Sequence, residues 1–86
     1  MGYRYAVTKR AHKDIARLDA VAKRRLKTKL EFYIAQDNPL DFALRLVEAT
    51  EGSYRFRIGS YRVVFDVDGD VIVILRVQHR REVYRA

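Results

Sequence analysis

The chain has 86 residues, of which 49% are apolar, and it carries a formal net charge of +7. This length supports one domain with a modest core, the apolar fraction excludes a disordered tail, and no apolar run approaches the length of a membrane span. The sequence contains no cysteine, which excludes disulfides, thiolate catalysis and cysteine-based zinc sites.

The N-terminal part predicts a short strand followed by two helices. Residues 3–7 alternate and are rich in strand formers. Thr8 and Asp19 have side chains typical of helix N-caps, so we expect one helix to begin at Lys9 and another just after Asp19. Apolar residues recur at helical spacing in both segments: Ala11, Ile15 and Leu18 in the first, and Ala22, Leu26, Leu30, Tyr33 and Ile34 in the second. The second helix is expected to end at residues 38–39, because Pro39 disfavours helical geometry in the residue before it.

The remainder predicts an antiparallel sheet. Residues 40–51 indicate a short helix or a loop, and from Gly52 onward the apolar period is two. Gly59-Ser60 and Asp68-Gly69 are signals for hairpin turns. The nearly continuous apolar run of residues 71–77 predicts a central strand buried on both faces, and residues 78–86 allow a last short strand.

The predicted fold class is therefore α+β, with an N-terminal strand, a two-helix hairpin and then a three- to four-stranded antiparallel sheet. All of it belongs to one domain, residues 1–86. The helices should bury their apolar stripes on one face of the sheet and leave the other face partly open.

A two-residue turn at Gly59-Ser60 fixes the register of the first hairpin. Arg57 would then face Arg62, and Arg55 would face Val64. The three arginines share the face opposite the core, although directly opposed like charges destabilise a strand pair. Such clustering indicates an anion-binding site, and a solvated face compensated by acidic residues is the alternative.

The second hairpin leaves the position of Arg76 open. A turn formed by Asp68 and Gly69 alone places Arg62 opposite Leu75. A turn that includes Asp70 places Arg62 opposite Arg76, which would then join the arginine cluster.

The C-terminal segment supplies groups that suit RNA chemistry. His79 offers a titratable imidazole, Arg80 and Arg81 offer positive charge, and Tyr84 offers a ring that stacks on a base. Attack of an RNA 2′-hydroxyl on its own phosphate needs a base, an acid and positive charge for the developing dianion. No cluster of carboxylates and histidines suggests a metal site, so we expect neither metal nor another cofactor. His12 is expected to be an ordinary surface histidine.

Basic residues are unevenly distributed along the chain. Residues 1–30 contain ten basic and two acidic residues, residues 31–51 contain one and five, and residues 52–86 contain seven and four. All seven basic residues of the last segment are arginines, the side chain best suited to forked contacts with phosphate. This balance predicts a polyanionic partner: nucleic acid, an acidic protein or anionic lipid. We expect a cytoplasmic protein, since small secreted domains usually contain disulfides.

Two segments resemble a known family. The sequence SYRFRIGSYRVVF of residues 53–65 and the sequence HRREVY of residues 79–84 look like the RelE/ParE toxin superfamily, and most like its RelE branch. The resemblance implies the RelE-like microbial RNase fold and a toxin of a type II toxin–antitoxin system, neutralised by a cognate antitoxin protein. RelE-type members act on the ribosome, where they cut messenger RNA in the A site without a metal. The 2′-hydroxyl attacks the phosphate and leaves a 2′,3′-cyclic phosphate and a 5′-hydroxyl end.

The resemblance also implies roles for particular residues. Arg62 matches the arginine that follows a Gly-x-Tyr pattern. Arg80 best matches the arginine that acts as general acid, and Arg81 is close enough to compete for that role. Tyr84 matches the tyrosine that stacks on or orients the substrate.

Arg55 and Arg57 match two positions that hold lysines in the best-known form of the motif. Lysine can act as a base, whereas arginine keeps its proton. We therefore expect Arg55, Arg57 and Arg62 to clamp phosphate, and either His79 or Tyr84 to transfer the proton.

Other functions fit the same resemblance. ParE-type members share the fold but inhibit DNA gyrase, and a third possibility is a non-catalytic member that only binds its antitoxin. The combination of Arg62, Arg80 and Tyr84 favours the nuclease. Basic side chains of the second helix either contact ribosomal RNA or form a solvated face: Lys23, Arg24, Lys27 and Lys29.

Overall fold

The computed structural model describes residues 2–46 and 52–80. In chain order these residues form β1 (Arg4–Val7), α1 (Lys9–Ala16), α2 (Ala20–Ile34), a 3₁₀ turn (Pro39–Phe42), β2 (Leu44–Arg45), β3 (Tyr54–Ile58), β4 (Tyr61–Asp68) and β5 (Val71–His79). The predicted α+β fold class is confirmed. No helix in the described part of the chain is both long and apolar enough to cross a membrane.

Both helices begin where their N-caps predict. Thr8 Oγ1 accepts a hydrogen bond from the Ala11 N–H at 3.2 Å, and Asp19 Oδ1 accepts one from the Ala22 N–H at 2.8 Å. The predicted end of α2 is wrong, because the helix stops at Ile34. Pro39 is instead buried at the start of the 3₁₀ turn, where no internal bond needs an N–H from proline.

The strands form one sheet in the order β1-β5-β4-β3-β2. Strands β3 to β5 pair antiparallel, as predicted. At the two edges of the sheet, β2 pairs antiparallel with β3, and β1 pairs in parallel with β5. β5 is an interior strand, but the prediction that both its faces are buried is wrong. Ile72, Ile74 and Val77 are buried, whereas Val71 and Val73 are only half-buried.

One core joins the helices to one face of the sheet. Ala11 of α1 packs in it with three residues of α2, Leu26, Leu30 and Ile34. The sheet contributes Phe56, Ile58, Val63, Phe65, Ile72, Ile74 and Val77. As predicted, the helices occupy one face, and the alternate residues of β3 and β4 lie on the other.

The second hairpin differs from both predicted registers. Its turn consists of residues 69–70, and a bulge later in the hairpin shifts the pairing, so that Arg62 lies opposite Gln78. Neither Leu75 nor Arg76 faces Arg62, and both predictions are therefore wrong.

Two of the predicted regions lie only partly within the described residues. Within residues 40–51, the structure has the 3₁₀ turn and the two-residue strand β2. A last short strand was expected within residues 78–86. The first two of these residues, Gln78 and His79, instead continue β5. Residues 47–51 and 81–86 lie outside the described residues.

Candidate functional site

The arginine cluster lies on the sheet face that points away from the helices. β3 and β4 pair Arg57 with Arg62 and Arg55 with Val64, which confirms the predicted register. The turn between the strands contains Gly59 with φ +59°, a conformation that glycine adopts without steric cost. The local sequence of this hairpin is therefore sufficient to bring the three arginines onto one face.

A shallow pocket gathers these arginines at the end of the hairpin. It encloses about 40 Å³ and is lined by Arg55, Arg57, Gly59, Ser60, Tyr61, Arg62 and Arg80. Its lining contains four arginines and, within the described part of the chain, no carboxylate. The pocket suits the oxygens of an anion such as phosphate, to which guanidinium groups donate paired hydrogen bonds.

Arg80 reaches the pocket because β5 ends beside the hairpin turn. Tyr61 pairs with His79 across the two strands, so Arg80, the residue that follows β5, lies next to Ser60. The Arg80 N–H donates a hydrogen bond of 2.7 Å to the Ser60 carbonyl. The structure thus brings together four of the predicted site residues, Arg55, Arg57, Arg62 and Arg80.

His79 lies on the opposite face of the sheet from this cluster. Its cross-strand partner is Tyr61, which shares the helix-facing side with the buried Val63. The two rings meet edge to face, with centroids 5.2 Å apart and an interplanar angle of 89°. His79 lines two clefts beside the helices but not the arginine pocket. Side chains alternate between the two faces of a strand, so His79 and Tyr61 lie on the face opposite to that of Arg62. This placement is contrary to the expectation that His79 serves the arginine clamp as a base.

Arg76 also lies apart from the pocket. Its Nε donates to Asp14 Oδ2 at 2.9 Å, and the two side chains are only 15% and 8% exposed. The same Asp14 oxygen accepts a hydrogen bond of 2.9 Å from the Val77 N–H. The arrangement in which Arg76 joins the arginine cluster is therefore wrong, since Arg76 helps to attach α1 to β5.

The buried Asp14 is a residue that the sequence analysis missed. A signal was present, because Asp14 follows Ala11 by three residues and precedes Leu18 by four, and so lies on the apolar stripe of α1. An acid at such a position calls for a buried partner.

The remaining predicted residues lie on α2 or outside the described range. The four basic residues of α2 that were predicted to contact RNA are all exposed: Lys23, Arg24, Lys27 and Lys29. The Nζ of Lys29 lies 5.1 Å from the ring centroid of Phe32, within the range of a cation–π contact. Arg81 and Tyr84 lie outside the described residues.

Two sequence comparisons identify relatives. The family described as the ParE toxin of type II toxin–antitoxin systems, parDE, matches residues 5–84. The toxin RelE3 of Methanocaldococcus jannaschii is 30% identical over 74 residues, which is 84% of this chain and 84% of that protein.

Solved structures of toxin–antitoxin complexes contain chains of the same fold. The RelBE2 complex of Mycobacterium tuberculosis matches with a TM-score of 0.70 and 27% identity, covering 93% of this chain and 100% of that chain. The RelB–RelE complex of Methanococcus jannaschii matches with a TM-score of 0.68 and 25% identity, covering 91% of this chain and 93% of that chain. The archaeal RelE–RelB complex of Pyrococcus horikoshii OT3 matches with a TM-score of 0.72 and 28% identity, covering 100% of both chains. These matches span nearly the whole chain and confirm the resemblance that its hairpin and tail suggest: the chain belongs to the RelE/ParE superfamily, the toxins of type II toxin–antitoxin systems.

Proposed function

We propose that this toxin is a ribosome-dependent endoribonuclease that needs no metal and cleaves messenger RNA in the A site. The observation that carries the proposal is the pocket lined by four arginines. A site of this kind binds a phosphodiester and stabilises the additional negative charge that develops when the phosphate is attacked. The partners of the reaction are the ribosome and messenger RNA in the cytoplasm, and the cognate antitoxin is the partner that stops it.

Each arginine of the pocket has a role in this reaction. Arg55, Arg57 and Arg62 hold the non-bridging oxygens of the scissile phosphate. The 2′-hydroxyl oxygen forms a new bond to phosphorus, the bond from phosphorus to the 5′-oxygen breaks, and a cyclic phosphate results. Arg80 donates a hydrogen bond to the departing 5′-oxygen, which takes up its proton from water. Tyr84 is the better candidate for the group that receives the 2′-hydroxyl proton, because His79 lies on the other face of the sheet.

The arginine clamp is tested by cleavage on ribosomes programmed with a defined message. Removing one preorganised donor to a developing charge typically lowers the rate by about 10²-fold or more, so we expect Arg57→Ala and Arg62→Ala to lose at least that much. Arg4→Ala is the matched control, because Arg4 is an exposed arginine on β1 that pairs with Asp70 at 3.7 Å. Equal activity of Arg62→Ala and Arg4→Ala would contradict the proposal.

The proton transfer is tested separately in the same assay. We expect Tyr84→Phe to reduce cleavage strongly and His79→Ala to retain most of it. Full activity of both variants would remove both candidates for the base. A strong loss in His79→Ala alone would show that His79 acts in spite of its position in the sheet.

Inhibition of DNA gyrase is the second candidate function, because the matching family is described as the ParE toxin. Mapping of messenger-RNA ends after induction of the toxin, beside a gyrase supercoiling assay, separates the two. Cuts in phase with codons and normal supercoiling support the nuclease. Inhibited supercoiling without cuts supports the gyrase inhibitor, and the absence of both effects supports a member that only binds its antitoxin.

A further inference from the structure

A second cleft adjoins the arginine pocket at the β2 edge of the sheet. It encloses about 320 Å³ and is lined by Asp41, Phe42, Ala43, Leu44, Arg55 and Arg57. Arg55 and Arg57 also line the arginine pocket, so the two sites share a wall. We call this second site the Phe42 cleft.

Phe42 is the outer ring of an aromatic stack that begins in the core. Its ring lies 5.3 Å from that of Tyr33 at an interplanar angle of 27°. Tyr33 stacks on Phe56 at 4.9 Å, and Phe56 stacks on Phe65 at 4.5 Å. Phe56 and Phe65 are fully buried, whereas Phe42 is 44% exposed. The exposed ring is therefore held in place by rings anchored in the core, and little side-chain freedom is lost when a ligand stacks on it.

The walls of the cleft combine apolar surface with positive charge. Leu44 is 55% exposed and lies directly opposite Arg55 in the pairing of β2 with β3. Exposed apolar side chains grouped together commonly mark a binding surface. A ligand with a flat apolar face and a negatively charged neighbour fits this combination, and a nucleotide has both features.

Asp41 indicates which part of a nucleotide enters the cleft. Its Oδ1 accepts a hydrogen bond of 3.2 Å from Asn38 Nδ2, which holds a negative charge at the cleft wall. That charge repels a phosphate but accepts hydrogen bonds from the amino group of a base. The phosphate therefore belongs on the arginine side and the base on the Phe42 side.

We propose that the Phe42 cleft binds one base of single-stranded RNA, next to the phosphate held by the arginine pocket. The inference rests on the proposed function only in that it takes the pocket's anion to be an RNA phosphate. Stacking of a base on an aromatic side chain is a common mode of single-strand recognition. Because Arg55 and Arg57 face both sites, a base and an adjoining phosphate of one nucleotide chain can occupy them together.

The test uses binding of short RNA without the ribosome. The full-length toxin is titrated into a fluorescently labelled single-stranded tetranucleotide, and into an abasic tetramer with the same ribose-phosphate backbone. We expect wild type to bind the intact RNA about tenfold more tightly, the scale of one base stacked on an aromatic ring. Phe42→Leu, which keeps an apolar side chain against Tyr33, should bind both probes equally and as weakly as wild type binds the abasic one. Equal binding of both probes by wild type would overturn the proposal.

Two further variants separate stacking from a general loss of structure. Phe32→Leu is the matched control, because Phe32 is an exposed aromatic residue that contacts Phe42 at a centroid distance of 6.4 Å but does not line the cleft. We expect it to keep the preference for the intact probe. Phe42→Trp should restore that preference. A Phe42→Leu variant that discriminates between the probes as wild type does would overturn the assignment.

The same measurement distinguishes failure of this inference from failure of the proposed function. Arg57→Ala should weaken binding of both probes, because the phosphates remain in each. If Arg57→Ala leaves both unchanged, the phosphate clamp fails and the base site fails with it. If Arg57→Ala weakens binding of both probes but wild type binds the intact and abasic probes equally, only the base site in the Phe42 cleft is excluded. If Phe42→Leu instead weakens binding of the cognate antitoxin and leaves RNA discrimination intact, the cleft is a protein-binding surface and the inference is wrong.

Discussion

At the scale of single residues, Gly52 shapes the face of the sheet on which the arginines lie. Its φ is +81°, and an added Cβ would overlap the Val64 side chain and lie 3.3 Å from Leu75 Cδ1. The close approach of this backbone accounts for the burial of Val64, which is only 4% exposed although it points away from the helices. The face that points away from the helices is thus covered near Gly52, and the arginine pocket lies nearer the Gly59-Ser60 turn.

Replacement of Gly52 tests this close approach. Gly52→Ala should lower the free energy of unfolding by about 2–5 kcal/mol, since left-handed backbone strain costs about 1–2 kcal/mol and overpacking costs about 1–3 kcal/mol. Gly59→Ala is the matched control, because Gly59 has φ +59° but nothing within 4 Å of an added Cβ. It should lose only about 1–2 kcal/mol from the strain. Urea denaturation measures both, and equal losses would show that the contact with Val64 has no energetic consequence.

At the scale of secondary-structure elements, α1 completes the edge of β5 that β1 leaves open. β1 pairs only with the first part of β5, up to Ile74. Beyond that point Thr8 Oγ1 donates to the Leu75 carbonyl at 3.2 Å, and Asp14 accepts from the Val77 N–H. The helix therefore replaces a neighbouring strand along the segment that leads to Arg80, and it satisfies backbone groups that an edge strand would expose.

Asp14 should be a major source of stability for this arrangement. Asp14→Ala leaves the Arg76 guanidinium and the Val77 N–H without their shared acceptor, and breaking a buried ion pair costs about 3–5 kcal/mol. Asp70→Ala removes the exposed pair with Arg4 and should cost about 1 kcal/mol or less. Chemical denaturation compares the two variants. A loss in Asp14→Ala as small as that in Asp70→Ala would contradict the role of Asp14.

The contrast between the two hairpins explains how much the sequence could predict. The first hairpin has a two-residue turn and uninterrupted alternation, so local rules place Arg55, Arg57 and Arg62 correctly. The second contains a bulge beside Val64, where the strand contacts Gly52 and α1, residues distant in sequence. No local pattern specifies those contacts, so the partner of Arg62 and the face of His79 were not predictable. The caps Thr8 and Asp19 were predictable because each acts within one helical turn.

At the scale of the whole molecule, basic surfaces occur on both sides of the sheet. The exposed basic residues of α2 belong to the helix layer, and the arginine pocket belongs to the opposite face. The molecule measures 22 Å along its shortest axis, which exceeds the Debye length of about 8 Å at physiological salt. Salt therefore screens the two surfaces from each other, and under the proposed function we expect a short RNA to bind only one of them.

This separation predicts that charge reversal on α2 affects ribosome binding, whereas loss of a pocket arginine affects binding of the short RNA. Charge reversal at Lys23, Arg24 and Lys27 should weaken ribosome binding and reduce its salt dependence, because each lost phosphate contact lowers the slope of log K against log salt by about 0.7–0.9. The same variant should bind the short RNA tetramer as wild type does, since α2 does not line the arginine pocket or the Phe42 cleft. Arg57→Ala should weaken tetramer binding and leave most of the salt dependence on the ribosome. An unchanged slope after charge reversal would show that the basic residues of α2 form only a solvated face, and docking would then depend on the arginine face alone.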